Sequence, residues 1–302
     1  MAKNLHTLDW TLIQTFIAVA EEGSLSAAAR RLGITQPSVG RQVKNIENNL
    51  DVTLFRRVHR GLDLTETGAD LLGPARQMQA AAAKFQLAAE GHSETLSGTV
   101  RITASTVVSH YTLPPILAKI RQLEPEIQLE LVPSDTSENL LFREADIAIR
   151  MYRPTQLDVI TKHVCDLKSG LYASKDYINR RGKPETVEEM LTHDFIGFDR
   201  SEMIIKEMQN MGIDVDREFF PLRTDSQVLY WELVRAGCGI GAAQRVIGDN
   251  DPMVERLFPI ELPSLPVWLT APEVLRGNPR IRRIFDLLAV EFEGLTKNPV
   301  KR

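Results

Sequence analysis

Long apolar runs are missing from this sequence of 302 residues: no uncharged apolar run approaches the roughly 18 residues needed to span a bilayer. That excludes a helical membrane protein. Cysteine is nearly absent. Cys165 and Cys238 are too few for a disulfide framework, and the N-terminal MAKNLHTLDW lacks the charged-then-apolar order of a secretory leader. The expected location is the cytoplasm, with no membrane partner. Low-complexity tracts and internal repeats are also missing, which excludes disordered and collagen-like chains. What remains is ordinary globular material, 43% hydrophobic and 25% charged, sized for two or three folded units.

The net charge of −4 is unevenly spread. Between Ser24 and Gly61 lie Arg30, Arg31, Arg41, Lys44, Arg56, Arg57 and Arg60, against only Glu47 and Asp51. The rest of the chain is therefore acidic. A basic end on an acidic body suits a polyanionic partner, and a solvated surface is the plainer alternative.

Periodicity separates the two. Leu12, Phe16, Val19 and Ala20 share one face of a helix that Gly23 stops. Ser24 or Ser26 can cap a second helix, SAAARRLG, which turns at Gly33. Thr35 can cap a third, with Pro37 in its first turn and Val39, Val43, Ile46 and Leu50 on its inner side. Two short helices joined by a glycine turn form a helix-turn-helix. LFRRVHRGLDL (54–64) then reads as a short hairpin, or wing, turning near Gly61. A recognition helix enters the major groove N-terminus first, which brings Gln36, Pro37, Ser38 and Arg41 toward base edges. Arg41 can pair with guanine O6 and N7, worth about 1–3 kcal/mol of discrimination, and Gln36 can read adenine. Ser24, Ser26 and Lys44 suit phosphates. Arg57, His59 and Arg60 suit the minor groove or the backbone.

From Glu66 to Glu90 the chain is helical, with Leu71, Ala75, Met78, Ala82, Phe85 and Ala89 at heptad spacing. Such a stripe pairs two chains, or lies on its own domain. Beyond Gly91, strand-like TVRITAS (99–105), IQLELVPS, ADIAIR, SGLYAS, DFIGFD and PVWLTA alternate with helices, the pattern of an α/β unit with mainly parallel sheets. Strand ends are where such sheets bind ligands. There stand Ser105 and Thr106, Ser134, Arg150 and Thr224, groups that suit a small anion. Each is also explicable as a cap or a surface ion pair.

Other chemistry is not visible. GCGIGAA (237–243) lacks the GxGxxG spacing of a dinucleotide loop and follows a helix, so it reads as a close-packed turn. His163 and Cys165 have no second pair at metal spacing, Cys238 reads as a buried small hydrophobe, and Met203, Met208 and Met211 read as gap-fillers or surface residues. No nucleophile–base arrangement, metal site or cofactor is expected, so the chain is not expected to be an enzyme.

The run AAxxLxxTQPSVxRQVxxIExxLxxxLFxR, followed by LTxTG, resembles the LysR-type transcriptional regulators, and ADIAIR and VRAGCGIGAA extend the likeness more loosely. The resemblance implies a winged helix-turn-helix at 1–65, a linker helix at 66–91 that pairs chains, and an effector-binding domain at 97–302. That domain would be α/β and two-lobed, like a type 2 periplasmic binding protein, with lobe 1 at about 97–165 and 270–302 and lobe 2 at about 168–267. It further implies duplex DNA and a small-molecule effector as partners, and homodimers or homotetramers. Gly40 stands where the family often has serine, one DNA contact fewer, and Asp51 replaces a common glycine.

Overall fold

The computed structural model describes residues 9–59, 61–91, 96–135, 145–154, 159–257 and 262–297. They fall into two units, residues 1–87 and 88–302.

In the first unit, α1 (Trp10–Glu22), α2 (Leu25–Leu32) and α3 (Gln36–Leu50) are cut where cap chemistry dictates. Gly23 and Gly33 both take φ +66° as C-caps, a conformation that costs a Cβ-bearing residue about 1–2 kcal/mol. Ser24, rather than Ser26, caps α2 by accepting the Ala27 N–H at 3.2 Å. Thr35 caps α3. Asp51 adopts the left-handed cap that glycine would take, at φ 59°. Phe16, Ile17, Val19, Ala28, Val39, Ile46 and Leu54 form the core.

The wing is β1 (Phe55–Val58) paired antiparallel with β2 (Gly61–Leu64). Gly61 is obligatory: at φ +126° its added Cβ would lie 2.3 Å from the Gly23 carbonyl, which accepts the Leu62 N–H at 2.8 Å. α4 (Glu66–Gly91) follows. The LTxTG run now has a cause. The Thr65 hydroxyl accepts the Gly68 N–H at 3.0 Å and donates to the Thr53 carbonyl, while Gly68 lets the Leu54 carbonyl come close. Pro74 lies inside the helix without ending it.

The second unit begins with β3 (Gly98–Ala104), a π-helical turn at Val108–Thr112, α5 (Leu113–Leu123), β4 (Ile127–Pro133), β5 (Ile147–Arg150) and β6 (Val159–Leu167). Next come β7 (Ser169–Ser174), α6 (Lys175–Arg181), α7 (Val187–Met190), β8 (Ile196–Gly197), α8 (Met203–Asn210) and β9 (Leu222–Arg223). The chain ends with α9 (Gln227–Arg235), β10 (Gly241–Gln244), α10 (Arg245–Gly248), β11 (Val254–Arg256), β12 (Leu265–Pro272) and α11 (Pro279–Lys297). One lobe is built on the sheet β4-β3-β5-β12-β6 and the other on β10-β7-β11 and β8-β9.

The expectation of mainly parallel sheets is corrected. Among the named strands of the described residues, β3–β4, β3–β5 and β8–β9 pair parallel, while β12 runs against both β5 and β6, and β7 against both β10 and β11. The cause is the connection. β6 leaves the first lobe and β12 returns to it, so neighbouring crossover strands point in opposite directions. The reading of Cys238 is corrected too: it is exposed, because it follows the left-handed Gly237 in the turn after α9. Cys165 is buried, and that burial pushes its thiol up to about 11. The glycines of GCGIGAA do form a close-packed turn, with an added Cβ at Gly239 falling 2.5 Å from the Asp194 carbonyl.

Candidate nucleic-acid interface and ligand cleft

On α3, Val39, Val43 and Ile46 face the core, which leaves Pro37, Arg41 and Lys44 on the opposite side. Gln36, Pro37, Arg41 and Lys44 are exposed. Ser38 is half-buried, its hydroxyl 2.9 Å from that of Thr35. Among the described residues neither Arg41 nor Lys44 has an acidic partner, and the same holds for Arg30 and Arg57. Arg31 is different, bound to Glu21 at 2.6 Å, and Arg56 lies 3.7 Å from Asp63. The basic cluster of the sequence thus divides into cations spent on local acids and cations left facing outward. Ser26 and His59 are exposed and Ser24 is a half-buried cap. Arg60 lies outside the described residues. Glu47 couples α3 to the wing by accepting the Leu54 N–H at 2.8 Å. At Gly40 a Cβ would make ordinary contact with Leu25 at 3.7 Å, so packing does not require the glycine.

The linker stripe also divides. Leu71 and Ala75 pack into the core of the first unit. Met78 and Phe85 are exposed, Phe85 by 78%. The side chain of Ala89 lies outside the described residues.

In the second unit, Ser105, Ser134 and Arg150 stand at the C-terminal ends of the adjacent parallel strands β3, β4 and β5, and the Ser134 N–H donates to the Ala104 carbonyl at 2.9 Å. The Ser105 hydroxyl is buried without a partner among the described residues. Arg150 is 9% exposed, and its side chain has neither an ion pair nor a hydrogen bond among them. Thr106 differs from expectation: its N–H and its hydroxyl both go to the Asp135 carboxylate, at 2.9 and 2.5 Å. The chain's own acid therefore already occupies the donors at this turn.

Thr224 sits in the second lobe, donating its N–H to the Gly197 carbonyl at 3.0 Å and accepting the Ser226 N–H at 3.2 Å. Beside it, Asp225 accepts the N–H groups of Asp199 and Arg200 and the Arg200 guanidinium at 2.8 Å. Those bonds, led by the guanidinium, hold the Asp225 carboxyl down to about 2. A cavity of about 440 Å³ opens here, lined by Phe198, Arg200, Ser201, Met203, Asp225 and Gln227.

The lobes meet at a contact that residue spacing does not reveal. Tyr111, in the π-helical turn, donates to Glu232 of α9 at 2.7 Å, and Arg235 grips the same carboxylate at 2.7 and 2.8 Å. Val107 and Tyr111 pack on a cluster containing Trp231 and Tyr230. Burial and the nearby carboxylate push the Tyr111 phenol up. Burial raises Glu232, but the hydrogen bonds from Tyr111 and Arg235 outweigh it and hold its pKa below the usual range.

Comparison with known proteins matches residues 10–69 to the bacterial regulatory helix-turn-helix protein, lysR family, and residues 93–293 to the LysR substrate binding domain. The chain is a LysR-type transcriptional regulator. The regulator CrgA of Neisseria meningitidis serogroup C is 29% identical over 254 residues, 82% of this chain and 83% of that protein. The Mau operon transcriptional activator of Paracoccus denitrificans is 27% identical, across 94% of this chain and 97% of its own length. The solved CrgA structure superimposes with a TM-score of 0.58 at 25% identity, covering 96% of this LysR-type regulator and 99% of CrgA. Full-length CbnR, solved in complex with its target DNA, shares the fold at a TM-score of 0.59 and 18% identity, covering 92% of this chain and all of CbnR. These relatives are regulators rather than enzymes, and no helix among the described residues is long and apolar enough to cross a membrane.

Proposed function

We propose that this regulator reads promoter DNA with α3 and the wing, and that a small molecule held between the two lobes adjusts that reading. The observation that carries it is the unpaired, outward-facing pair Arg41 and Lys44 on the helix that the fold presents. Arg41, Gln36, Pro37 and Ser38 meet base edges; Ser24, Ser26 and Lys44 grip phosphates; Arg57, His59 and Arg60 act from the wing. CbnR, which shares the fold, was solved on its target DNA, in keeping with this use of the head. The head spans 1–65, the linker 66–91 and the effector domain 97–302, its lobes about 97–165 with 270–302 and about 168–267. Met78 and Phe85 join two linkers into a dimer, dimers pair into tetramers, and the protein works in the cytoplasm.

Ser105, Thr106, Ser134, Arg150 and Thr224 supply the effector contacts. An effector shifts the regulator only through unequal affinity for two lobe arrangements. The deciding experiment compares Arg41→Ala with the parent on operator and random duplexes across a salt series. Expected is a loss of about 1–3 kcal/mol on the operator alone. An equal loss on both duplexes, with a salt slope lower by about one, assigns Arg41 to phosphate and removes it from base reading.

A further inference from the structure

Glu21 stands in the last turn of α1, the end of a helix where the backbone dipole disfavours negative charge. The stability of α1 itself therefore does not account for it. Its partners do. One carboxylate oxygen accepts the Arg31 guanidinium of α2 at 2.6 Å, and the other accepts two nitrogens of Arg76 on α4, at 3.0 and 3.3 Å. The side chain is only 27% exposed, and both of its oxygens are engaged. A single carboxylate on α1 thus ties the first helix of the helix-turn-helix to the linker helix.

Arg76 lies just past a weak place in α4. Pro74 has no N–H to give the Asp70 carbonyl, and a proline ring crowds the carbonyl four residues before it. Gly73 precedes it, and glycine is poorly held to helical geometry. An added Cβ at Gly73 would meet no neighbouring element within 4 Å, so packing does not require the glycine. Leu71, Leu72 and Ala75 pack against the head, while Met78 and Phe85 are exposed. Arg76 follows the last of the packed residues and holds this stretch from outside.

We propose that Glu21 is a positioning residue: through Arg76 it braces α4 across the Gly73–Pro74 step and so fixes the direction in which the linker leaves the head. In a dimer joined by its linkers, that direction sets the spacing at which two recognition helices meet the duplex. This role rests on the proposed linker pairing and DNA reading; the brace itself does not. An exposed ion pair is a weak tie. The brace therefore biases a flexible step rather than locking it, and its removal acts by a few fold.

The test uses the full-length protein and two readouts. The first is hydrogen exchange of the α4 amides from Ala75 to Gln79. Arg76→Gln and Glu21→Gln should exchange them about threefold faster, with α1 and α3 as in the parent. Pro74→Ala, which restores the missing N–H, should slow them. The second is affinity for duplexes carrying two copies of the half-site that the parent selects from random sequence, their separation varied base pair by base pair across one helical turn. The ratio of best to worst spacing should fall about threefold in Arg76→Gln and rise in Pro74→Ala, while affinity for an isolated half-site stays within twofold of the parent. Unchanged exchange in Arg76→Gln, or faster exchange spread equally over α1 and α3, overturns the brace. Faster exchange in α4 with an unaltered spacing profile overturns the positioning role. If the parent selects no half-site at low salt, it is the DNA reading that fails, and with it the positioning role, while exchange still decides the brace.

Discussion

Removing the Tyr111 hydroxyl probes whether one hydrogen bond helps to hold the lobes together. Tyr111→Phe keeps the ring that packs near Trp231 and deletes the donor 2.7 Å from Glu232. A hydrogen bond to a charged group contributes about 1.5–3 kcal/mol. Two features select the lower end. Glu232 keeps both bonds from Arg235, so no carboxylate is stranded, and its side chain is 44% exposed, so solvent screens the interaction. A loss of about 1.5 kcal/mol corresponds to roughly tenfold more of the open arrangement. Hydrogen exchange of the α9 amides reads that opening. A double-mutant cycle with Glu232→Gln isolates the pair, with an expected coupling of about 1 kcal/mol. Because its hydrogen bonds hold the Glu232 pKa down, the bond is present above the ordinary glutamate range and is lost only as pH falls through the lowered value. A coupling within about 0.3 kcal/mol of zero, with α9 exchange unchanged, would refute the argument.

Three further expectations concern other parts of the chain. Gly61→Ala forces a Cβ against the Gly23 carbonyl at positive φ and should destabilise the head by about 2 kcal/mol or more, read by denaturant unfolding. Met78→Glu and Phe85→Glu alter exposed linker positions, so the head should melt as before while the sedimenting mass falls to that of the single chain; an unchanged mass would place the pairing surface elsewhere. Asp225→Asn releases Arg200. The stability difference from the parent should be full above pH 3.8, the ordinary value for the carboxyl, and vanish as pH falls through about 2.

Legibility in the sequence followed the range of the interactions. The head was readable because its signals are local: glycine C-caps, the Ser24 and Thr35 caps and the apolar spacing of α3 all act within one or two turns. ADIAIR likewise announced β5 by its buried run. β6 escaped, since VITKHVCDL is half exposed and carries neither a clean alternation nor an apolar run. The direction of β12 was hidden as well, because it depends on where the chain re-enters a sheet begun some 160 residues earlier. Site residues show the same division. That Ser105, Ser134 and Arg150 stand at strand ends was readable from the sequence. Asp135 on Thr106, Tyr111 on Glu232 and the pairing of Arg150 with Trp268 join segments 29, 121 and 118 residues apart, which no short spacing records.

The position of β12 bears on how the chain is made. It lies between β5 and β6, yet among the described strands it is the last to be synthesised. A ribosome that has delivered residues up to about 260 has released every described strand of the second lobe, while the five-stranded sheet still has a gap between β5 and β6. The inserted lobe can thus mature during translation, whereas its host must wait for the tail. A stop codon before Leu265 would cost the lobe begun first the strand that joins β5 to β6.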